Sequence, residues 1–247
     1  MRTLVVVPTY QEAENVVGFL EAVRAAAPEA EVLVVDDQSP DGTGELAEKV
    51  AAELGQIEVL HRARKEGLGA AYRAGFRRGI DAGFELIVQM DCDHSHDPAV
   101  VPQLVAAVAA GADCAIGSRY VPGGSTPNWP SHRRLLSKYG NRYTAALLEL
   151  GIHDATSGFR AYRATTLEQI HFDTTKANGY AFQSELAYRM VQEGLRLVEV
   201  PITFVDRQYG TSKMSARIIS ESMALVTSWG VRARVRRLVQ GRRHSPS

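Results

Sequence analysis

Residues 4–43 read LVVVPTYQEAENVVGFLEAVRAAAPEAEVLVVDDQSPDGT, and the order of patterns in this stretch decides the fold. Leu4-Val5-Val6-Val7 is a short β-branched run. A helical pattern follows from about Glu12 to Ala27, with Val16, Val17, Leu20 and Val23 at its apolar positions. Glu31-Val32-Leu33-Val34-Val35 is a second such run, stopped by Asp36-Asp37. The cycle then repeats: Thr43 to Leu54 reads as a helix, Ile57 to Leu60 and Ala70 to Ala82 as strand and helix, Leu86 to Val88 and Ala99 to Ala110 as another pair. Uninterrupted apolar strands alternating with helices of about ten to fifteen residues predict a parallel sheet covered on both faces. This α/β pattern holds through about Ser118.

Beyond it the regularity fails. Tyr120 to Ser131 (YVPGGSTPNWPS) holds three prolines and two glycines and reads as a long loop of the kind that is often functional. Helical patterns follow at about Arg134 to Leu150 and Ser184 to Glu193, and Arg196 to Phe204 reads as a late strand. Ser215 to Val239 has Ile218, Leu225 and Trp229 on one helical face, with arginines clustered toward its end. A catalytic domain over 1–214 and an amphipathic, Arg-rich segment over 215–247 are expected, the second suited to a membrane surface.

The 247 residues are 45% hydrophobic and 23% charged, which excludes collagen, coiled coil and wholesale disorder. The longest run without a charge, Pro98 to Ala112, contains two prolines and is shorter than the ~20 residues of a spanning helix. The N-terminus lacks the apolar core and cleavage site of a signal peptide, so a cytoplasmic location is expected. Cys92 and Cys114 are not in CxxC spacing, and free thiols are expected. A net charge of zero hides an asymmetry: from Arg217 onward seven arginines face the single acid Glu221, leaving the preceding residues with an equal excess of acid. A basic tail can meet nucleic acid or anionic lipid. No nucleic-acid module is recognisable, and Trp229 is the one aromatic near the arginines, so nucleic acid is not expected as a partner.

In an open parallel sheet, ligands bind beyond the carboxyl ends of the strands, and the polar clusters sit there: Pro8-Thr9-Tyr10-Gln11-Glu12, Asp36 to Gly42, and Asp91-Cys92-Asp93-His94-Ser95-His96-Asp97. One such cluster is an ordinary turn; three on one edge ask for a ligand. The sharpest is Asp91-x-Asp93. In extended chain both carboxylates face one spot while Cys92 faces away. Two like charges at close range need a cation, and oxygen ligands suit Mg²⁺ or Mn²⁺, which commonly bind one or two carboxylates plus a substrate's phosphates. Taken alone, an Asp-x-Asp is more often a turn capping the next helix. His94 and His96 have no further nitrogen or sulfur ligands spaced for zinc and read as loop and structural residues. Lys65-Glu66-Gly67-Leu68-Gly69 offers a glycine-rich turn before a helix but is neither a dinucleotide fingerprint nor a P-loop.

With these pieces in order, the chain resembles the inverting family 2 glycosyltransferases of the GT-A fold, and among them the polyprenol (dolichol) phosphate mannose synthases. The matching blocks are VVVPTYQEAENV at 5–16, VLVVDDQSPDGT at 32–43, KEGLGAA at 65–71, QMDCDHSHDP at 89–98, GSRY at 117–120, DATSGFRAYR at 154–163 and RQYGTSKM at 207–214. The QxxRW motif of processive polysaccharide synthases is absent. The resemblance implies a Rossmann-like, mostly parallel sheet with a late antiparallel strand. It also implies transfer of mannose from GDP-mannose to a polyprenyl or dolichyl monophosphate, with release of GDP. Pro8, Tyr10, Glu12 and Asp37 would hold the donor's nucleoside; Asp91 and Asp93 the metal, with Ser95 as a third contact; Arg119, Arg133 and Ser137 the acceptor's phosphate; Arg207 and Lys213 the donor's phosphates. It further implies peripheral attachment to the inner face of an anionic membrane, with a separate anchoring protein as one means. A glucosyltransferase using UDP-glucose and a non-catalytic scaffold remain the alternatives. A phosphate acceptor is already ionised and needs no general base, so Glu185 is expected to be structural or sugar-positioning. Asp154 and Arg160 would form an internal ion pair or touch sugar. The loop at 120–131 and the 207–214 segment are expected to move when donor and metal bind.

Overall fold

Alternation inside unbroken apolar runs is what buries both faces of the sheet. In β1 (Thr3–Thr9) Val5 and Val7 point to one core and Leu4 and Val6 to the other. In β2 (Glu31–Asp36) Val32 and Val34 join the first, Leu33 and Val35 the second. The structure, a computed structural model, describes residues 1–177, 179–207 and 216–243, without the side chains of 180, 216–219 and 236–243.

The remaining strands are β3 (Ile57–His61), β4 (Leu86–Gln89), β5 (Cys114–Ser118), β6 (Arg160–Arg163) and β7 (Leu197–Pro201). They form one seven-stranded sheet in the order β3-β2-β1-β4-β6-β5-β7. Every pairing is parallel except those of β6, which runs antiparallel to β4, with Ala161 opposite Val88, and to β5, with Ala161 opposite Ala115. The antiparallel strand therefore lies inside the sheet, in the 154–163 block. The late strand read at 196–204 forms over Leu197–Pro201, parallel to β5.

Helices α1 (Val16–Ala26), α2 (Thr43–Leu54), α3 (Leu68–Asp81) and α4 (Val101–Ala109) follow the expected cycle, the last behind a 3-10 turn at Pro98–Val100. α3 lies unusually close to the sheet: a side-chain carbon at Gly75 would run into Val6, and one at Gly79 would lie 2.7 Å from Leu4. After them come α5 (Ser131–Leu148), α6 (Ala164–Gln169), α7 (Tyr180–Gln192) and α8 (Ala216–Arg243). α8 packs on α5 and α7: Trp229 stacks on Tyr188 at 6.5 Å, and Gly230 sits against Leu147, where a side chain would not fit. Of the face expected on this helix, Trp229 is packed, Leu225 is exposed and Val226 takes the buried position; the Ile218 side chain lies outside the described residues. Among the described residues no helix is long and apolar enough to cross a membrane.

Candidate active site

The carboxyl ends of β1, β2, β4 and β5 open into one cleft of about 640 Å³. Pro8, Tyr10, Glu12, Asp37, Asp91, Asp93, Ser95, Arg119, Arg133 and Arg207 all line it. One expected member, Ser137, is not among them. Ser137 stands one turn beyond Arg133 on α5, where its hydroxyl accepts a 2.6 Å hydrogen bond from Tyr120, and it is not part of the cleft wall. Lys213 lies outside the described residues, as does most of the 207–214 segment.

At the β1–β2 end, Asp37 is buried and closely engaged. Its carboxylate pairs with Arg62 and accepts the backbone N–H groups of Glu66 and Gly67 at 3.2 and 3.1 Å, tying down the turn before α3, where Gly67 takes a positive φ of 94°. Lys65 in the same turn sits 3.5 Å over the ring of Tyr10. A cation on an aromatic face beside two carboxylates suits a flat, polar ring followed by phosphates.

β4 ends at Gln89, and the chain beyond it sends Asp91 and Asp93 into the cleft while Cys92 is buried in the core. Tyr72 donates to Asp91 Oδ1 at 2.6 Å. Burial, and then the neighbouring Asp93 carboxylate, push the Asp91 carboxyl up to about 7. Asp93 pairs with Arg207 at 3.1 Å and accepts the Ser95 N–H at 3.1 Å. Two crowded carboxylates, one of them driven toward its neutral form, suit a hard divalent cation. Among the described residues no group of three His, Cys, Asp or Glu side chains can hold a metal, so an ion here would draw further oxygens from substrate, water or Ser95. His94 packs edge-on against Phe19. His96 is buried between Phe159 and Phe204, and burial lowers its pKa to about 4.

At the other end, Arg119 grips Asp154 through two 2.7 Å hydrogen bonds, with a third from its own backbone N–H at 3.0 Å. Burial works against the Asp154 charge, but Arg119 outweighs it and holds the carboxyl below the ordinary range. The guanidinium is flanked by Tyr120, Trp129 and Phe204 at 5.3–5.9 Å. Arg133 lies 4.1 Å over Trp129, and both donate to Asp206.

Asp154 and Arg160 do not pair as an internal couple. Arg160, wholly buried, instead donates to the carbonyls of Ala155, Ser157 and Gln183 at 2.8–2.9 Å and so joins the 155–158 wall of the cleft to α7. Glu185 accepts the N–H groups of Lys176 and Ala177 and pairs with Arg189. It braces the loop before α7, and it is not among the residues lining the cleft. The 120–131 loop is laced to the chain after β7: Ser125 N–H donates to Ile202 and its carbonyl accepts from Phe204. Trp129, Gly158, Gln183 and Phe204 complete the walls. Sequence patterning did not single them out, because an aromatic in a proline-rich loop and a glutamine on a helix carry no spacing signal. The AFQSEL and DATSGFR blocks were the available hints.

The profile of the family described as Glycosyl transferase family 2 matches residues 4–170. A polyprenol monophosphomannose synthase of Mycolicibacterium smegmatis is 51% identical over 237 residues, covering 96% of this chain and 89% of that protein. An undecaprenyl-phosphate mannosyltransferase of Micrococcus luteus is 50% identical, covering 95% and 96%. Among solved structures, glucosyl-3-phosphoglycerate synthase from Mycobacterium tuberculosis, in complex with Mn²⁺, UDP and its product, superposes with a TM-score of 0.68 at 19% identity, covering 92% of this chain and 79% of that one. A mannosyltransferase from Pyrobaculum calidifontis in complex with GDP-Man and Mn²⁺ superposes with a TM-score of 0.62 at 15% identity, covering 100% and 76%. These likenesses establish the GT-A fold.

Proposed function

The chain belongs to glycosyl transferase family 2, and from that premise we propose that it transfers mannose from GDP-mannose to the phosphate of a polyprenyl monophosphate with inversion at the anomeric carbon. The two relatives described above are named for making a polyprenol monophosphomannose and for mannosyl transfer to undecaprenyl phosphate. The observation that carries the reading is the set of charges gathered in one cleft: the carboxylates Asp91 and Asp93, the second paired with Arg207, together with Arg119 and Arg133.

In this reading the nucleoside lies along Pro8, Tyr10, Glu12 and Asp37. A divalent cation, Mg²⁺ or Mn²⁺, held by Asp91 and Asp93 with Ser95 beside them, would neutralise charge on the departing diphosphate. Arg207 adds a cation at that end, and Lys213 is assigned the same task. Arg119 and Arg133 receive the acceptor's phosphate. A phosphate monoester, with a second pKa of about 6, brings its own negative oxygen, so the residues have only to align two anionic groups and balance the charge that develops. The engagement of Glu185 with two backbone N–H groups and Arg189 fits a reaction without a side-chain base.

The acceptor's tail requires a bilayer near the cleft. The expected contact was the C-terminal segment; α5 supplies a second one. Leu135, Leu136 and Tyr139 are 56%, 66% and 60% exposed, on the side opposite the buried Asn141, Thr144 and Leu148. Arg133, Arg134, Lys138 and Arg142 accompany them with no acid between residues 131 and 148. An apolar stripe in a basic setting suits an anionic membrane surface, and Arg133 joins it to the cleft.

The test offers the protein GDP-mannose or UDP-glucose, each with polyprenyl monophosphate in detergent and Mg²⁺ or Mn²⁺, and detects the glycosyl lipid by mass spectrometry. Polyprenyl phosphomannose from GDP-mannose alone, abolished by EDTA, is expected. Product only from UDP-glucose would move the donor specificity, and no product with either would overturn the assignment.

A further inference from the structure

Tyr72 lies one turn inside α3, and no part of it reaches solvent. Its ring is stacked on Phe182 of α7, 6.0 Å away with planes 1° apart, and tilted against Phe76 at 5.7 Å. Phenylalanine would fill the same space without the cost of burying a hydroxyl among aromatic rings. The hydroxyl's contribution is its 2.6 Å hydrogen bond to Asp91 Oδ1.

The donor has little freedom to move. Close approach at Gly75 and Gly79 seats α3 on β1, and Asp37 holds the turn at its start. An immobile donor restrains Asp91 Oδ1 and so narrows the range of directions open to the second oxygen. The other oxygen, Oδ2, faces Gly158 in the cleft wall, where an added methyl would come within 3.1 Å of it. Asp91 thus presents one oxygen to the cleft, held in place from behind, as hydrogen-bonded partners commonly hold metal-ligating carboxylates.

We propose that Tyr72 is a positioning residue for the cation site, anchoring Asp91 Oδ1 so that Oδ2 points at the ion, with Gly158 leaving that oxygen room. This rests on the reading of Asp91 and Asp93 as cation ligands. It differs from that reading in assigning a role to a buried core tyrosine that touches neither substrate nor ion.

The test measures Mn²⁺ binding to the full chain by electron paramagnetic resonance of the free ion in the presence of GDP, for wild type, Tyr72→Phe and Gly158→Ala, with GDP binding in EDTA and thermal melting alongside. Tyr72→Phe is expected to melt as a folded protein, to bind GDP in EDTA like wild type, and to bind Mn²⁺ about 10–100-fold more weakly. Its turnover should recover at high Mn²⁺, so that the apparent metal constant rises while kcat is retained. Gly158→Ala, with Tyr72 intact, should also weaken Mn²⁺ by crowding Oδ2. In an Asp91→Asn background Tyr72→Phe should add no further loss. Unchanged Mn²⁺ affinity in Tyr72→Phe, or an equal further loss without Asp91, overturns the proposal while leaving the cation reading intact. Wild type that binds no Mn²⁺ overturns both.

Discussion

The carboxylate of Asp154, with no exposure to solvent, faces the guanidinium of Arg119 at the cleft wall through two hydrogen bonds of 2.7 Å. The pair fixes the direction of the arginine to which we assign the acceptor's phosphate. Removing one partner of a buried pair strands the other charge, at a cost of about 3–5 kcal/mol. Asp154→Ala should therefore lower the unfolding free energy from urea titration by that much, and activity at saturating donor should fall through a raised acceptor KM. An unchanged free energy would show that the pair is dispensable.

Asp93→Asn and Glu185→Gln separate metal chemistry from base chemistry. Loss of a cation ligand should cost Asp93→Asn at least ~100-fold in kcat/KM, about 3 kcal/mol of transition-state stabilisation. A missing general base would cost ~10²–10⁴-fold. Glu185→Gln should fall by less than that, with the pH profile in place. A loss as large as that of Asp93→Asn, together with a displaced profile, would make Glu185 a participant.

His96 makes stability depend on pH. Its ring is buried, with a pKa lowered to about 4 from an ordinary 6.5, so the unfolded chain takes up a proton that the folded one refuses. Its contribution is fully present above 6.5 and declines as pH falls from 6.5 toward 4. At pH 5 the loss is about 2 kcal/mol. Unfolding free energies from urea titrations at pH 7 and pH 5 should show a drop of this size beyond that of a His96→Gln variant; equal drops would refute it.

Leu136→Asp with Tyr139→Asp tests the exposed face of α5. The double variant should lose sedimentation with vesicles containing anionic lipid, while retaining transfer to a short-chain acceptor in detergent. Wild type that ignores anionic vesicles, or a variant that still sediments with them, would remove α5 as the docking face.

The parallel strands were legible because runs such as Leu4 to Val7 must bury two faces at once, and the Asp91-x-Asp93 pair because extended chain places alternate residues on one side. β6 was not legible as a strand. Arg-Ala-Tyr-Arg is short and carries two charges, and it is held in the sheet by Ala161 fitting between Val88 and Ala115 and by three carbonyls that satisfy Arg160. On α8 the expected Trp229 is packed but Val226 takes the buried place expected of Leu225, because both are apolar and only the packing of α5 and α7 selects between them.

The sequence by itself determined the doubly covered sheet, the edge where the cleft opens, the carboxylate pair and the family, since all of these follow from local periodicity and from the order of short blocks. Only the tertiary structure decided which partner each charge takes. Asp154 pairs with Arg119 and not with Arg160, its nearer neighbour in sequence, Glu185 engages backbone N–H groups, and Tyr72 reaches Asp91 across 19 residues. Such pairings depend on distances between elements far apart in the chain, which no local pattern encodes, and in a buried site it is the nearest unsatisfied partner that sets a group's charge, orientation and role.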